Sequence, residues 1–256
     1  PPIPPTRGAL QDSSGKQARH RLRRIFTRRP SPKIPTIITP RRRILSRGAL
    51  AHHFDTLEQQ HEAQALGMWA FLVQEVMFFG ALFGGYAIYR HAYYEAFVAG
   101  SHHLDIKLGA FNTAVLLFSS LTMAFAVRQA QLSDKRGLLL SLFGTIVLGC
   151  IFLGVKVIEY TAKYHHHLIP GAGFVAPEGS PDKLNMFYVF YFLMTGAHAL
   201  HMIIGIGILV FLLVRARRGA YLGEYFAPIE MTGLYWHFVD VVWIFLFPLL
   251  YLLGRH

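Results

Sequence analysis

The chain has 256 residues, of which 53% are hydrophobic and 15% charged, and its formal net charge is +11 at pH 7. So few charged residues exclude an ordinary soluble domain. The single cysteine, Cys150, excludes an internal disulfide and a cysteine-ligated iron–sulfur cluster. The sequence contains no phosphate-binding glycine loop and no nucleophile motif, so it offers no support for a soluble enzyme.

Residues 1–57 form a basic, proline-rich arm, distinct from the apolar part at 58–256. The first fifty residues contain 13 Lys and Arg against one acidic residue, whereas the remainder contains 12 against 13. Clusters such as Arg41, Arg42 and Arg43 predict contact with anionic lipid headgroups or, as we favour, with a neighbouring subunit. A targeting peptide is a third interpretation. Nucleic-acid binding is not expected, because no stacking aromatic residues accompany the charge.

The apolar part contains five blocks that are long enough to cross a bilayer, which takes about 20 helical residues. They run over 66–89, 108–127, 138–160, 186–214 and 225–253. We therefore predict an all-α fold, an integral membrane bundle of five transmembrane helices.

The connectors predict the orientation of these helices. Three basic residues lie in each of the connectors 128–137 and 215–224, whereas the other connectors carry scattered charges of both signs. By the positive-inside rule, these two connectors and the arm are cytoplasmic. We therefore expect the N-terminus in the cytoplasm and the C-terminus outside.

One carboxyl group, Glu75, lies about a third of the way into the first block, without Lys or Arg within a helical turn or two. An ionisable group at that depth is costly unless it is paired or functional. Two interpretations are open. Glu75 is either a proton-handling or lipid-contacting carboxyl, or a neutral acid that holds two helices together by a hydrogen bond.

The fourth block contains His198 and His201, which share one face of a helix because they are three residues apart. Their spacing does not suit two stacked b-type haems, which need pairs of histidines much further apart along each helix. We predict that these histidines bond to other helices, with Glu75, Asp240 or Glu230 as candidate partners. Glu230 lies nearest the predicted inner surface.

The last block combines apolar length with ionisable side chains. His237 and Asp240 are three residues apart near its middle and are predicted to pair. Trp236 and Trp243, seven residues apart, share another face. We predict that these two indoles, and Trp69 of the first block, contact lipid or a partner subunit.

Two further groups lie near the predicted outer surface. Lys156 and Glu159 are predicted to form a local ion pair in which the lysine snorkels towards water. Three successive histidines, His165, His166 and His167, cannot all face one ion on a regular backbone. A solvated loop is expected there rather than a metal site, and we predict neither a metal nor a catalytic residue in this chain.

Five motifs, in order, resemble those of subunit III of the haem-copper oxidases, the respiratory enzymes that reduce oxygen to water. They are Glu75 to Phe79, Phe111 to Leu117, Glu159-Tyr160, Thr195 to His201, and Tyr235 to Trp243. The resemblance extends over about 58–254.

The resemblance implies a subunit without a redox centre that packs against the catalytic subunit. Haem and copper would then belong to the partners, oxidase subunits I and II, and phospholipid would bind in a cleft of this chain. Glu75 would be the family's buried carboxyl beside that cleft, near routes for oxygen and protons. His198, His201, His237 and Asp240 would hold helices together. The expected location is the bacterial plasma membrane rather than the mitochondrial inner membrane.

The best-known members of this family have seven helices, and five-helix members include quinol oxidase subunits. Within this family we expect a subunit of a proton-pumping cytochrome c oxidase. Because five-helix members include quinol oxidase subunits, the alternative is a quinol oxidase subunit or a nitric oxide reductase accessory subunit. From a different class, a stand-alone proton-coupled transporter also accounts for buried acids and histidines. The arm is expected to contact another respiratory complex or an accessory subunit.

Overall fold

The computed structural model describes residues 54–171, 174–175, 181–221 and 225–254, and the regular structure in these ranges is helical. The helices are α1 (Leu57–Ala92), α2 (Tyr94–His102), α3 (Ile106–Gln131), α4 (Lys135–His165), α5 (Pro181–Arg217) and α6 (Ala227–Tyr251). All except α2 are long and apolar enough to cross a membrane. The predicted all-α fold with five transmembrane helices is therefore confirmed.

Several spanning helices begin in polar sequence, before the apolar block that predicted them. The helix α1 starts well ahead of the block 66–89, where Thr56 Oγ1 accepts a hydrogen bond of 3.1 Å from the backbone N–H of Gln59. Asp105 and Asp134 cap α3 and α4 in the same way. Because a capping side chain satisfies a backbone N–H that the helix leaves free, these residues set where the three helices begin.

The short helix α2 was not predicted, because its nine residues lie in a connector and are too few to cross a bilayer. Its Phe97 is fully buried and packs edge-on against the rings of Tyr86 and Phe187, at centroid distances of 5.3 and 5.6 Å. Gly100 permits the close approach of α2 to α5, since a Cβ there would overlap the ring of Phe187. The helix α2 thus closes the end of the bundle where α1 ends.

The last helix, α6, is the central element, because it packs against α1, α2, α3 and α5. Half of its most apolar 18-residue stretch is buried within the chain, compared with 11% for α1. The helix α4 packs between α3 and α5. In the described residues, no Cα atom of α1 lies within 8 Å of a Cα atom of α3 or α4. One side of α6 is therefore left uncovered between α1 and α3.

Two tryptophans anchor α6 in the bundle. Trp236 and Trp243 are fully buried, and their indole N–H groups donate to Ser119 Oγ and Thr113 Oγ1, each at 3.1 Å. The prediction that these two residues contact lipid or a partner is wrong, because hydroxyl groups of α3 satisfy the N–H and let the rings be buried. Trp69 is 61% exposed, and its predicted contact stays a prediction.

Most of the predicted arm, including Arg41, Arg42 and Arg43, lies outside the described residues. Its contact with lipid or a neighbour therefore stays a prediction, and so does the domain boundary after residue 57. The orientation of the termini also stays a prediction, because a helical bundle by itself does not distinguish the two sides of a membrane.

Candidate functional site

A carboxyl–imidazole pair joins α1 to α5. Glu75 Oε2 lies 3.0 Å from His201 Nε2, and the two side chains are 9% and 14% exposed. The other ring nitrogen of His201, Nδ1, lies 2.8 Å from the backbone carbonyl oxygen of Ala197. The structure thus brings together the buried carboxyl group and one of the two predicted histidines, and both nitrogens of this imidazole are bonded within the chain.

The geometry of this pair requires one exchangeable proton between Glu75 and His201. A carbonyl oxygen only accepts, so His201 Nδ1 carries a hydrogen and donates it. Nε2 then either accepts from a protonated Glu75 or, as part of an imidazolium, donates to a carboxylate. The pair is neutral overall in both states. Neutrality is what a low-dielectric interior tolerates, so the pair can hold a proton inside the membrane.

Two phenylalanines that follow Glu75 cover the imidazole. Phe78 and Phe79 stand three and four residues further along α1, on the face that carries the carboxyl group. Their ring centroids lie 6.3 and 5.2 Å from that of His201. The motif Glu75 to Phe79 therefore acts as a unit, in which the carboxyl group binds the imidazole and the two rings pack against it.

An open cleft of about 410 Å³ borders the pair, between α1, α5 and α6. It is lined by Met68, Phe71, Glu75, His201, Ile204, Ile208, Met231, Thr232 and Tyr235. Two hydroxyl groups in this lining are satisfied internally: Thr232 donates to Pro228 O at 2.8 Å and Tyr235 donates to His201 O at 2.9 Å. The cleft is thus a mainly apolar surface beside the carboxyl–imidazole pair, which suits an alkyl chain.

The acid Glu230 lies in the first turn of α6 and pairs with α1 rather than with a histidine of the core. Its Oε2 is 3.4 Å from His61 Nε2, and the two side chains are 33% and 50% exposed. Glu230 was one of three candidate partners for His198 and His201 and bonds neither, but it does join two helices, as expected of the polar network. Glu230 stands at the helix end, whereas the buried histidines lie near the middle of α5.

His198 is fully buried and bonds the backbone of α6, with Nε2 at 3.1 Å from Val239 O. Its ring packs 5.3 Å from that of Phe152 and 5.2 Å from that of Trp243, measured between centroids. The prediction of a carboxyl partner is wrong for this residue. A helix carbonyl has a second lone pair to offer, and using it avoids burying another ionisable group.

The predicted pair of His237 and Asp240 does not form. His237 Nδ1 lies 2.7 Å from Ser120 Oγ of α3. The carboxyl group of Asp240 is 3% exposed, and neither of its oxygens has a hydrogen-bond partner in the described part of the chain. A spacing of three residues places two side chains on one face of a helix but does not make them bond. Here the hydroxyl of Ser120, on the neighbouring helix α3, lies within hydrogen-bond distance of His237 instead.

A buried ion pair joins α4 to the end of α6. Lys156 Nζ lies 2.8 Å from Glu159 Oε2 and 2.9 Å from the hydroxyl of Tyr251, which donates to Glu159 Oε1 at 2.7 Å. Both charged residues are less than 5% exposed, so the prediction that the lysine snorkels to water is wrong.

Aromatic rings explain how this lysine can be buried. Four of them lie with their centroids 4.8–5.6 Å from Nζ, namely Tyr160, Tyr191, Trp243 and Tyr251. Their electron-rich faces take the place of water around the ammonium group. Sequence reasoning identified Lys156 and Glu159 but missed Tyr251, because the contact spans 95 residues and leaves no local pattern.

The successive histidines occupy the end of α4 and the turn after it. His165 is the last helical residue, and His167 has a φ of 53°. In the described ranges, no group of three or more His, Cys, Asp and Glu side chains is placed to hold a metal ion. That this chain binds neither metal nor haem stays a prediction.

Fold and site together define an integral membrane protein with five spanning helices, in which acids and imidazoles are held largely by contacts between helices. Residues 36–255 match the family model of cytochrome c oxidase subunit III. The chain belongs to this family.

Individual relatives agree with the family match. Cytochrome c oxidase subunit 3 of Thermostichus vulcanus is 32% identical over 202 residues, which cover 78% of this chain and 92% of that protein. Probable quinol oxidase subunit 3 of Staphylococcus haemolyticus is 30% identical over 210 residues, covering 80% and 98%. The protein of the same description from Staphylococcus aureus strain USA300 is 29% identical over 209 residues, with the same coverage.

The resemblance found in the sequence is confirmed, and the family match begins upstream of it, at residue 36. The chain is a subunit of a terminal oxidase complex of the haem-copper class, an oxidoreductase with several subunits, in the bacterial plasma membrane. The relatives include subunits of cytochrome c oxidases and of quinol oxidases, so the family alone leaves both electron donors open.

Proposed function

We propose that this chain is the subunit without a redox centre in a proton-pumping cytochrome c oxidase, and that its Glu75–His201 pair supports proton uptake. The observation that carries the proposal is the 3.0 Å hydrogen bond of this pair beside an apolar cleft. Haem and copper belong to oxidase subunits I and II, and oxygen reaches them along apolar surface of this kind.

The chemistry of the pair supports a proton-handling role. Glu75 and His201 share one exchangeable proton in either of two neutral arrangements, and release of that proton leaves a carboxylate that can take up the next one. The partner of this carboxyl group is an imidazole, whose Nε2 either accepts or donates a proton, and a proton-handling site requires such an exchange. On this proposal the pair stores a proton for the catalytic subunit.

The first prediction concerns Glu75→Gln. The glutamine amide still donates to His201 Nε2, so assembly of the complex should be preserved. The amide does not release a proton, so proton uptake should fall and the enzyme should inactivate severalfold sooner during turnover. Proton release from reconstituted vesicles and the number of turnovers before inactivation measure both effects.

Glu62→Gln is the matched control, since Glu62 lies on the same helix and is exposed. It should leave pumping and lifetime unchanged. Wild-type pumping and lifetime in Glu75→Gln would remove Glu75 from the functional site and leave it as a packing contact.

A second role, binding of phospholipid, is favoured by the cleft itself. We propose that an acyl chain lies along its apolar walls, since such a surface is exposed at membrane depth. Ile208→Trp should fill the cleft and reduce the phospholipid that stays with the purified complex, measured as phosphorus per complex after a detergent wash. Ile203→Trp is the control, because Ile203 is 56% exposed on the same helix but does not line the cleft. Equal phospholipid in both variants would contradict the proposal.

Cytochrome c is the proposed electron donor, with a quinol as the alternative that the staphylococcal relatives favour. The name of the family model and the relative from Thermostichus vulcanus support cytochrome c. Oxygen consumption by the purified complex with reduced cytochrome c or with a quinol as sole donor separates the two.

The placement of the chain in the membrane is also a proposal. The basic connectors 128–137 and 215–224 support a cytoplasmic N-terminus and an outer C-terminus. The basic arm then lies on the cytoplasmic side, where it is proposed to contact a neighbouring subunit or anionic lipid.

A further inference from the structure

A groove runs between α1 and α3, and α6 forms its floor. In the described residues no Cα atom of α1 lies within 8 Å of a Cα atom of α3, although α6 packs against both helices. The floor includes Val241 and Ile244, which are 46% and 43% exposed. They lie on the side of α6 that is turned away from α5. Trp236 and Trp243, which bond α3, lie on a different side of the helix. This central helix is therefore incompletely covered by its own chain.

Both walls of the groove are shaped for a close neighbour. On α3, Leu117 and Leu121 are about half exposed. On α1, Phe78 packs towards α5. Helix geometry then places Val76 and Gly80 on the other side of α1, which borders the groove. A Cβ added at Gly80 would meet nothing within 4 Å, so the space beyond this glycine is open. A small residue at such a position lets another helix approach closely.

A polar group lies in this groove, at the centre of the membrane. Ser120 and His237 stand near the midpoints of α3 and α6 and are joined by the 2.7 Å contact between Ser120 Oγ and His237 Nδ1. Both side chains are partly exposed. His237 Nε2 has no hydrogen-bond partner among the described residues. One ring nitrogen of a partly exposed residue that borders the groove is thus without a hydrogen bond.

The hydrocarbon of a lipid cannot satisfy that nitrogen, because acyl chains have no hydrogen-bonding group at this depth. At comparable depth, the outer faces of α4 and α5 expose apolar side chains such as Val147, Ile151, Leu200 and Ile203. Those faces suit lipid, whereas the groove does not. Another helix that carries a hydrogen-bonding side chain can satisfy this nitrogen.

We propose that the groove between α1 and α3 receives a transmembrane helix of another oxidase subunit, and that this helix bonds His237 Nε2 through a hydroxyl or amide side chain. Hydroxyl and amide groups both donate and accept, so they serve either tautomer of the imidazole. The proposal rests on the chain's membership of a multi-subunit oxidase and names the face by which it docks.

A photo-activated cross-linking residue at Val241, in the intact complex in native membranes, tests this face. Irradiation should join the chain to a different, membrane-spanning polypeptide of the complex. The same residue at Ile203, 56% exposed on α5, should give lipid adducts alone. Lipid adducts alone at Val241 would overturn the proposal, and an adduct between two copies of this chain would overturn the assignment to another subunit.

Substitution of His237 tests the hydrogen bond. His237→Leu should weaken retention of the chain in the detergent-solubilised complex by about three- to eighteen-fold, which corresponds to the average and the largest energies measured for hydrogen bonds between helices in membranes. His237→Gln keeps a hydrogen-bonding group and should retain most of the chain, and Ile203→Leu is the control on the lipid face. Retention of His237→Leu at the wild-type level would overturn the proposal. Co-purification of haem with the wild-type chain tests membership of the oxidase separately.

Discussion

Replacing Lys156 with methionine is expected to destabilise the folded chain by about 3–5 kcal/mol, because it leaves Glu159 buried without its cation. Lys156 and Glu159 are 3% and 4% exposed, so water cannot take over the role of the ammonium group. Methionine fills a similar volume, and the loss therefore reports the charge rather than a cavity. Thermal and denaturant-induced loss of helix in detergent measures it.

A double substitution tests whether the unpaired carboxylate causes the loss of stability. The double variant Lys156→Met/Glu159→Gln removes both, and it should recover much of the stability lost by Lys156→Met alone. Lys135→Met is the matched control, because Lys135 is exposed in the first turn of the same helix. A double variant that is no more stable than Lys156→Met would show that the carboxylate was not the cause.

Trp243→Ala is the second change with a large expected effect, about 3–5 kcal/mol, the usual cost of removing a buried aromatic ring. The ring lies edge-on to Phe152, at 4.9 Å between centroids, and 4.8 Å from Lys156 Nζ. Its N–H bonds Thr113 Oγ1 at 3.1 Å. Removing it thus opens a cavity and weakens the site that holds the buried lysine.

The control for this prediction is Trp69→Ala, in which the same atoms are removed from a residue that is 61% exposed. Its effect on the isolated chain should stay within about 0.5 kcal/mol. Trp243→Phe, which keeps a ring but loses the bond to Thr113, should fall between the two. Equal midpoints of unfolding for Trp243→Ala and Trp69→Ala would contradict the burial of Trp243.

The buried ionisable residues show how far sequence reasoning reached. Glu75 and His201 were singled out because polar groups inside an apolar block are costly and stand out against it. Their pairing bridges 126 residues, and no spacing rule connects positions so far apart. The prediction that paired His237 with Asp240 relied on a local rule, and it was wrong because Ser120 of another helix reaches the imidazole.

The prediction that the two tryptophans contact lipid or a partner was wrong for a related reason. A spacing of seven residues places Trp236 and Trp243 on one face of α6, but it does not say whether that face meets lipid or protein. Lipid-facing and core-facing residues are both apolar in a membrane, so hydrophobic periodicity loses the contrast that it has in soluble proteins. This face meets protein, because hydroxyl groups of α3 accept hydrogen bonds from both indoles.

The sequence by itself determined that the chain crosses the membrane five times as helices, that it belongs with the oxidase subunits, and which polar residues lie inside the bilayer. The spans and the polar residues could be predicted because apolar length and the rarity of charge are local properties of the chain. The family could be predicted because five motifs occur in its order. Only the tertiary structure decided which partner each polar residue takes and which side of α6 remains open. These depend on how helices distant in the chain pack against one another, and that packing leaves no trace in local spacing.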